Sequence, residues 1–260
     1  MEHGEPSDGV GAAAKRELAT EALWEVLDGF KTDAFMALAG RERLGLAEFD
    51  AGAARMWTPF ARAALAVEMG ADLATERGGS FPALSAAGKR DARLLALLAG
   101  AGAPLAAEGN FKGGCVRIAA KMCALDVLGV ALAGGAAPDE RPGPSSATAL
   151  TMACRGMLDH KAEACARALL DAGADVEARV EPEGITPLIA AARSGNAAVC
   201  DLLVARGAKI DARLASGADA AGEARDAGYA DLAGKLDALN EARILGRRTE
   251  PAPSRPRPAL

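Results

Sequence analysis

Apolar positions along this chain fall into short helical stripes, each ended by the same pair of small residues. Leu65-Ala66-Val67, Leu97-Leu98-Ala99, Val130-Ala131-Leu132, Ala168-Leu169-Leu170 and Leu202-Leu203-Val204 run into Gly70-Ala71, Gly102-Ala103, Gly135-Ala136, Gly173-Ala174 and Gly207-Ala208. The glycines are spaced by 32, 33, 38 and 34 residues. One helical turn earlier, Leu94-Leu95, Val127-Leu128, Cys165-Ala166 and Val199-Cys200 continue the stripe. A glycine just past a helix can take the left-handed conformation that closes it. Counting back 21 residues from Gly102, Gly135 and Gly207 gives Phe81, Gly114 and Thr186, and Thr148 fits if four extra residues precede Gly173. Five residues after each start stands an alanine, Ala86, Ala119, Ala153 or Ala191, the size wanted where helices cross closely. The predicted unit is therefore helix, turn, helix, glycine stop and extended connection. A period near 33 predicts an all-α stack in which neighbouring copies cover each other's apolar faces.

One copy is specific enough to carry a family resemblance. Gly184-Ile185-Thr186-Pro187-Leu188, Ala190-Ala191, Gly195-Asn196, Val199, Leu202-Leu203 and Gly207-Ala208 resemble the ankyrin repeat. A second good copy starts at Thr148-Ala149-Leu150 and ends at Gly173-Ala174-Asp175-Val176. Those starting at Phe81 and Gly114 are degenerate, and residues 219–236 look like a closing copy. The resemblance implies an all-α, ankyrin-type helix-turn-helix solenoid of about five repeats with short extended connections. The Thr-Pro start has a mechanical reason, because threonine accepts from a free amide of the first turn and proline at the next position has no amide to leave unpaired. Only Thr186-Pro187 keeps both in register. Thr58-Pro59 lies 12 residues before Gly70 and so opens the second helix of a partial copy, whose first helix the sequence does not reveal. Where the family places a histidine that ties adjacent turns, this chain has Leu84, Arg117, Thr151 and Ile189, which implies lower and less uniform stability.

The pattern divides the chain into four regions. Residues 1–14, polar and rich in Gly and Ala, are expected to be disordered. Residues 15–57 are expected to form a helical cap and a degenerate first repeat. One amphipathic helix is expected over 15–28, carrying Leu18, Ala22, Trp24, Val26 and Leu27, and another over 32–39, carrying Phe35, Met36 and Leu38. Residues 58–240 form the repeat solenoid, with an irregular finger over 138–146. Residues 246–260, with four arginines and repeated prolines, read as a disordered tail; Pro253 and Pro256 have P-x-x-P spacing.

Composition narrows the function. Half the residues are hydrophobic but only 3% are aromatic, which suits close packing of Ala, Leu and Val. The net charge of -5 argues against general nucleic-acid binding. No apolar run is long enough for a membrane span and the start lacks the order of a secretory signal, so an intracellular protein is expected, in the cytoplasm with the nucleus as the alternative. Cys115, Cys123, Cys154, Cys165 and Cys200 have no C-x-x-C spacing and read as reduced thiols, with Cys165 and Cys200 in core positions. His160, one of two histidines, makes neither a metal set nor a catalytic pair and reads as a solvated loop residue. No catalytic, metal-binding or cofactor-binding residues are predicted, and the chain is not expected to be an enzyme.

The ankyrin resemblance implies a protein-binding module whose partner meets the concave face of inner helices and connection tips. The family's variable positions map here onto Arg77, Lys89, Asn110, Phe111, Lys121, Met122, Arg155, Glu183, Ile185, Arg193 and Ser194. Four successive copies thus place a base near the end of the first helix, which suggests a basic stripe for a partner with an acidic segment. The helix dipole alone also favours cations there, which gives the stripe a strong competing structural reading. The expected protein is a monomer that binds neither nucleic acid nor membrane. A structural spacer or self-assembling scaffold and a substrate-recruiting subunit of an enzyme complex are the alternatives.

Overall fold

A computed structural model describes residues 8–29, 58–106, 114–143, 145–156 and 160–249. Among them are twelve helices and no strand. They fall into two compact units, Met1–Gly143 and Pro144–Leu260. The first unit contains α1 (Asp8–Asp28), α2 (Pro59–Glu68), α3 (Pro82–Gly88), α4 (Ala92–Gly100), α5 (Cys115–Lys121) and α6 (Leu125–Ala133). The second contains α7 (Ala149–Cys154), α8 (His160–Asp171), α9 (Pro187–Arg193), α10 (Ala197–Ala205), α11 (Ala220–Asp226) and α12 (Ala230–Thr249).

In both units the helices work as pairs. Within the first, α3 packs on α4 and α5 on α6, while α3 also meets α5 and α4 meets α6. In the second, α7 pairs with α8, α9 with α10 and α11 with α12; first helices meet first helices, and α8 meets α10. Most of these helices have six to ten residues, below the roughly 12–15 that an isolated helix needs, so lateral packing holds them. The recurrent alanines explain how close that packing is. Ala86, Ala119, Ala153 and Ala191 are all 0% exposed, as is Ala224 in the closing pair. Around them Leu84, Leu95, Leu98 and Leu128 fill the first unit, and Leu150, Leu169 and Leu188 the second. Each such leucine contributes about 1.5–3 kcal/mol through removal from water.

The ends of the helices follow the sequence closely. Gly70, Gly102, Gly135, Gly173 and Gly207 have φ between 85° and 93°, and the amide of the following alanine bonds five residues back, as from Ala103 to the Leu98 carbonyl at 2.9 Å. Thr148 and Thr186 cap α7 and α9 by accepting from Thr151 N at 3.2 Å and Ile189 N at 3.3 Å. Asp219 does the same for α11, accepting from Gly222 N at 3.0 Å. The extended connections form isolated bridges, Arg77 with Ser80, Val180 with Ile185 and Arg213 with Asp219.

Three boundaries differ from the sequence reading. Helix α1 begins at Asp8, so residues 8–14 are helical where composition suggested disorder. Its buried positions Ala19, Ala22, Leu23, Trp24 and Leu27 pack on α2 and α3, which makes α1 the missing first helix of the Thr58 copy. Thr58 caps α2 through Ala61 N at 3.2 Å, and Thr20 Oγ1 accepts from Asp72 N at 2.7 Å across the pair. At the other end α12 runs to Thr249, so the helix takes in residues 246–249, which were assigned to the tail. The helix expected over 32–39 and residues 250–260 lie outside the described residues. His160 is the first residue of α8 rather than part of a loop.

Candidate functional site

The ends of the first helices and the connection tips are where the mapped side chains can be located. In the first unit Lys89 follows α3 as its C-cap, and Lys121 ends α5 with Met122 as the C-cap. Both lysines are exposed and Met122 is half-buried. Because α3 packs on α5, the two lysines belong to neighbouring layers. In the second unit Arg155 caps α7, and Arg193 ends α9 with Ser194, half-buried, as its C-cap. The α7 and α9 layers are again neighbours.

Charge pairing separates these bases. Among the described residues Lys89, Lys121 and Arg155 have no ion-pair partner. Arg193 is held by Glu223, Nε to Oε2 at 2.7 Å. Arg77 is held more fully still: its guanidinium reaches Glu21 at 2.5 Å and Asp28 at 3.6 Å, and stacks 5.7 Å from the centre of the Trp24 ring. Arg77 therefore ties its tip to α1 while its side chain stays 40% exposed. Ile185 is not placed at the surface as its mapped position suggests. It is 6% exposed and shares backbone hydrogen bonds with Val180, so its side chain belongs to the core. Glu183 is exposed on the tip, where its carbonyl accepts from Ala215 N at 2.9 Å. Asn110 and Phe111 lie outside the described residues.

The sequence reading missed Arg90. It directly follows Lys89, is exposed, and adopts φ 59°. The signal was present, since aligning Lys89-Arg90-Asp91 with Ser194-Gly195-Asn196 puts arginine where a helix-closing glycine stands.

Chemistry elsewhere is muted. Cys115, Cys154, Cys165 and Cys200 are buried, as the core reading of Cys165 and Cys200 expects. Burial pushes the Cys115 and Cys200 thiols up to about 12, with Glu140 and Asp201 respectively adding to the rise, so both stay protonated at neutral pH. Among the described residues no group of three or more His, Cys, Asp or Glu could hold a metal ion, and no helix is long and apolar enough to cross a membrane. Among the described residues, two grooves open to solvent are seen. One, of about 460 Å³, lies along Tyr229, Asp231, Leu232 and Lys235; the other, of about 410 Å³, lies between α1 and Asp72. Both are open to solvent, unlike an enclosed ligand pocket.

Paired short helices, closed by left-handed glycines and joined through extended tips, define a helical repeat protein. The family model for ankyrin repeats matches residues 116–213 in three copies. No curated protein matches the chain. Ankyrin repeats are in general protein–protein interaction modules and are typically non-catalytic.

Proposed function

We propose that this chain is a non-catalytic adaptor that binds a partner protein through the first-helix ends and connection tips of its repeats. The observation that carries the reading is the contrast among the bases. Arg77, Arg193, Arg206, Arg225, Lys235 and Arg243 are engaged in ion pairs. Lys89, Lys121 and Arg155, all at first-helix ends, are exposed and have no ion-pair partner among the described residues. The helix dipole accounts for a preference for bases there, but ion pairing elsewhere shows that this chain readily supplies carboxylates to its surface bases. Unpaired bases suit a partner segment that brings its own carboxylates.

The test is charge reversal of Lys89, Lys121 and Arg155 to Glu in the full chain. The variant is expected to keep its circular dichroism spectrum and melting temperature while losing the proteins captured by the wild type. Capture of the same partners in the same amounts would reject the assignment of these bases. The chain acts as a monomer in this reading, and sedimentation across a range of concentrations separates it from a self-assembling scaffold.

A further inference from the structure

Arg90 at φ 59° and Cys123 at φ 47° occupy the turn that closes the first helix of two successive layers. In the second unit the same backbone position is taken by Gly195 and Gly228. A left-handed residue bearing a β-carbon is sterically costly, so Arg90 is kept against the preference of its own backbone. Arg90 differs from the half-buried Cys123 in presenting a charged side chain to solvent. That side chain is exposed and has no ion-pair partner among the described residues.

Three further cations share the edge. Lys89 precedes Arg90, Arg93 is exposed in the first turn of α4 with its guanidinium 4.8 Å from the centre of the Phe60 ring, and Lys121 ends α5. Because α3 packs on α5 and α4 on α6, the turns joining α3 to α4 and α5 to α6 lie side by side, at a helix spacing of about 8–10 Å. The carboxylates in these two turns are Asp91 and Asp126. Asp91 is committed as the cap of α4, accepting from Leu94 N at 2.9 Å, and Asp126 stands in the first turn of α6.

We infer that this turn edge of the first unit binds a short acidic peptide segment of a partner protein, with Arg90 as a recognition residue. The inference rests on reading the repeats as a module that binds a partner segment bearing carboxylates, and adds to it the turn edge of the first unit and Arg90 as the residue that reads them. An extended peptide rises about 3.3 Å per residue, so carboxylates three residues apart reach neighbouring turns. The planar guanidinium of Arg90 suits bidentate capture of a carboxylate, whereas the lysines act as point charges. A net charge of -5 weighs against a long polyanion, whose phosphates would run past the few cations of this edge.

The experiment uses the full chain and fluorescein-labelled hexaglutamate, read by anisotropy at low salt, with hexaglutamine and a single-stranded hexanucleotide as controls. Hexaglutamate is expected to bind and hexaglutamine not to bind. Arg90→Gly is expected to weaken binding by about threefold or more. The same change should raise the melting temperature by about 2–4 °C, because the strain is gone. Arg90→Lys should keep part of the affinity, and Lys89→Ala with Lys121→Ala should reduce it further. Unchanged hexaglutamate affinity in Arg90→Gly would overturn the inference, as would tighter binding of the hexanucleotide. So would a chain that captures its partner but ignores hexaglutamate, a result that would leave standing only the reading of the repeats as a binding module.

Discussion

The ring of Tyr229 lies directly against the α-carbon of Gly195, where a β-carbon would collide with three of its ring atoms. Gly195 closes α9 at φ 70°, and Tyr229 follows the glycine that closes α11, so the contact joins two successive layers of the second unit. Glycine is needed here twice over, for its backbone and for the space. Gly195→Ala should cost about 2–3 kcal/mol in a denaturant melt, combining left-handed strain with overpacking. Adding Tyr229→Ala should recover part of that loss, and simple additivity in the double-mutant cycle would show that the ring is not the obstacle.

Cys123 offers the reverse experiment. It is half-buried with φ 47°, at the position that glycine holds in α9 and α11. Cys123→Gly should stabilise the chain by about 1 kcal/mol with the denaturant slope unchanged, since relief of strain outweighs the added freedom of the unfolded chain.

The buried alanines set the distance between layers. Ala119→Leu should destabilise by about 1–3 kcal/mol through overpacking. Leu169→Ala should destabilise by about 2–5 kcal/mol through a cavity. Urea titrations followed by far-ultraviolet circular dichroism measure both.

At the start of the first unit, Trp24 and Arg77 should separate clearly. Trp24 is 2% exposed, and its truncation to Ala should cost about 3–5 kcal/mol and speed hydrogen exchange in α1. Arg77 is held by exposed ion pairs, and Arg77→Ala should cost no more than about 1 kcal/mol.

Alkaline pH should probe the two elevated thiols. Their ordinary value is 9.0 and burial raises it to about 12 for Cys115 and Cys200. The folded state therefore holds protons that the unfolded state releases between pH 9 and 12. Stability from this source is fully present below pH 9 and declines as the pH rises toward 12. A Cys115→Val, Cys200→Val variant should show a shallower decline in melting temperature over that interval. In the native wild type both thiols should resist alkylation at pH 8.

What could be read from sequence was what is decided locally. Gly102 and Thr186 each act within one turn of a helix, and Ala86 and Ala119 recur because each layer repeats the same crossing. The partnership of α1 with α2 was hidden, because no local feature of Asp8–Asp28 reports a helix that begins at Pro59. The ion pairing of Arg77 was hidden for the same reason, as its acids lie on α1, 56 residues away in the case of Glu21. Ile185 was placed by its position in the family's pattern, whereas the bridge to Val180 decides which way its side chain is buried. Arg90 was legible only through its register with Gly195, because residue identity alone does not display the sign of φ.

The brevity of helices such as α5, α7 and α9 also sets how the chain answers to force. None of these pieces of six or seven residues can persist once its neighbour is gone. Pulled at its ends, each unit should yield by peeling one helix pair at a time, giving a train of small, similar steps instead of one large rupture.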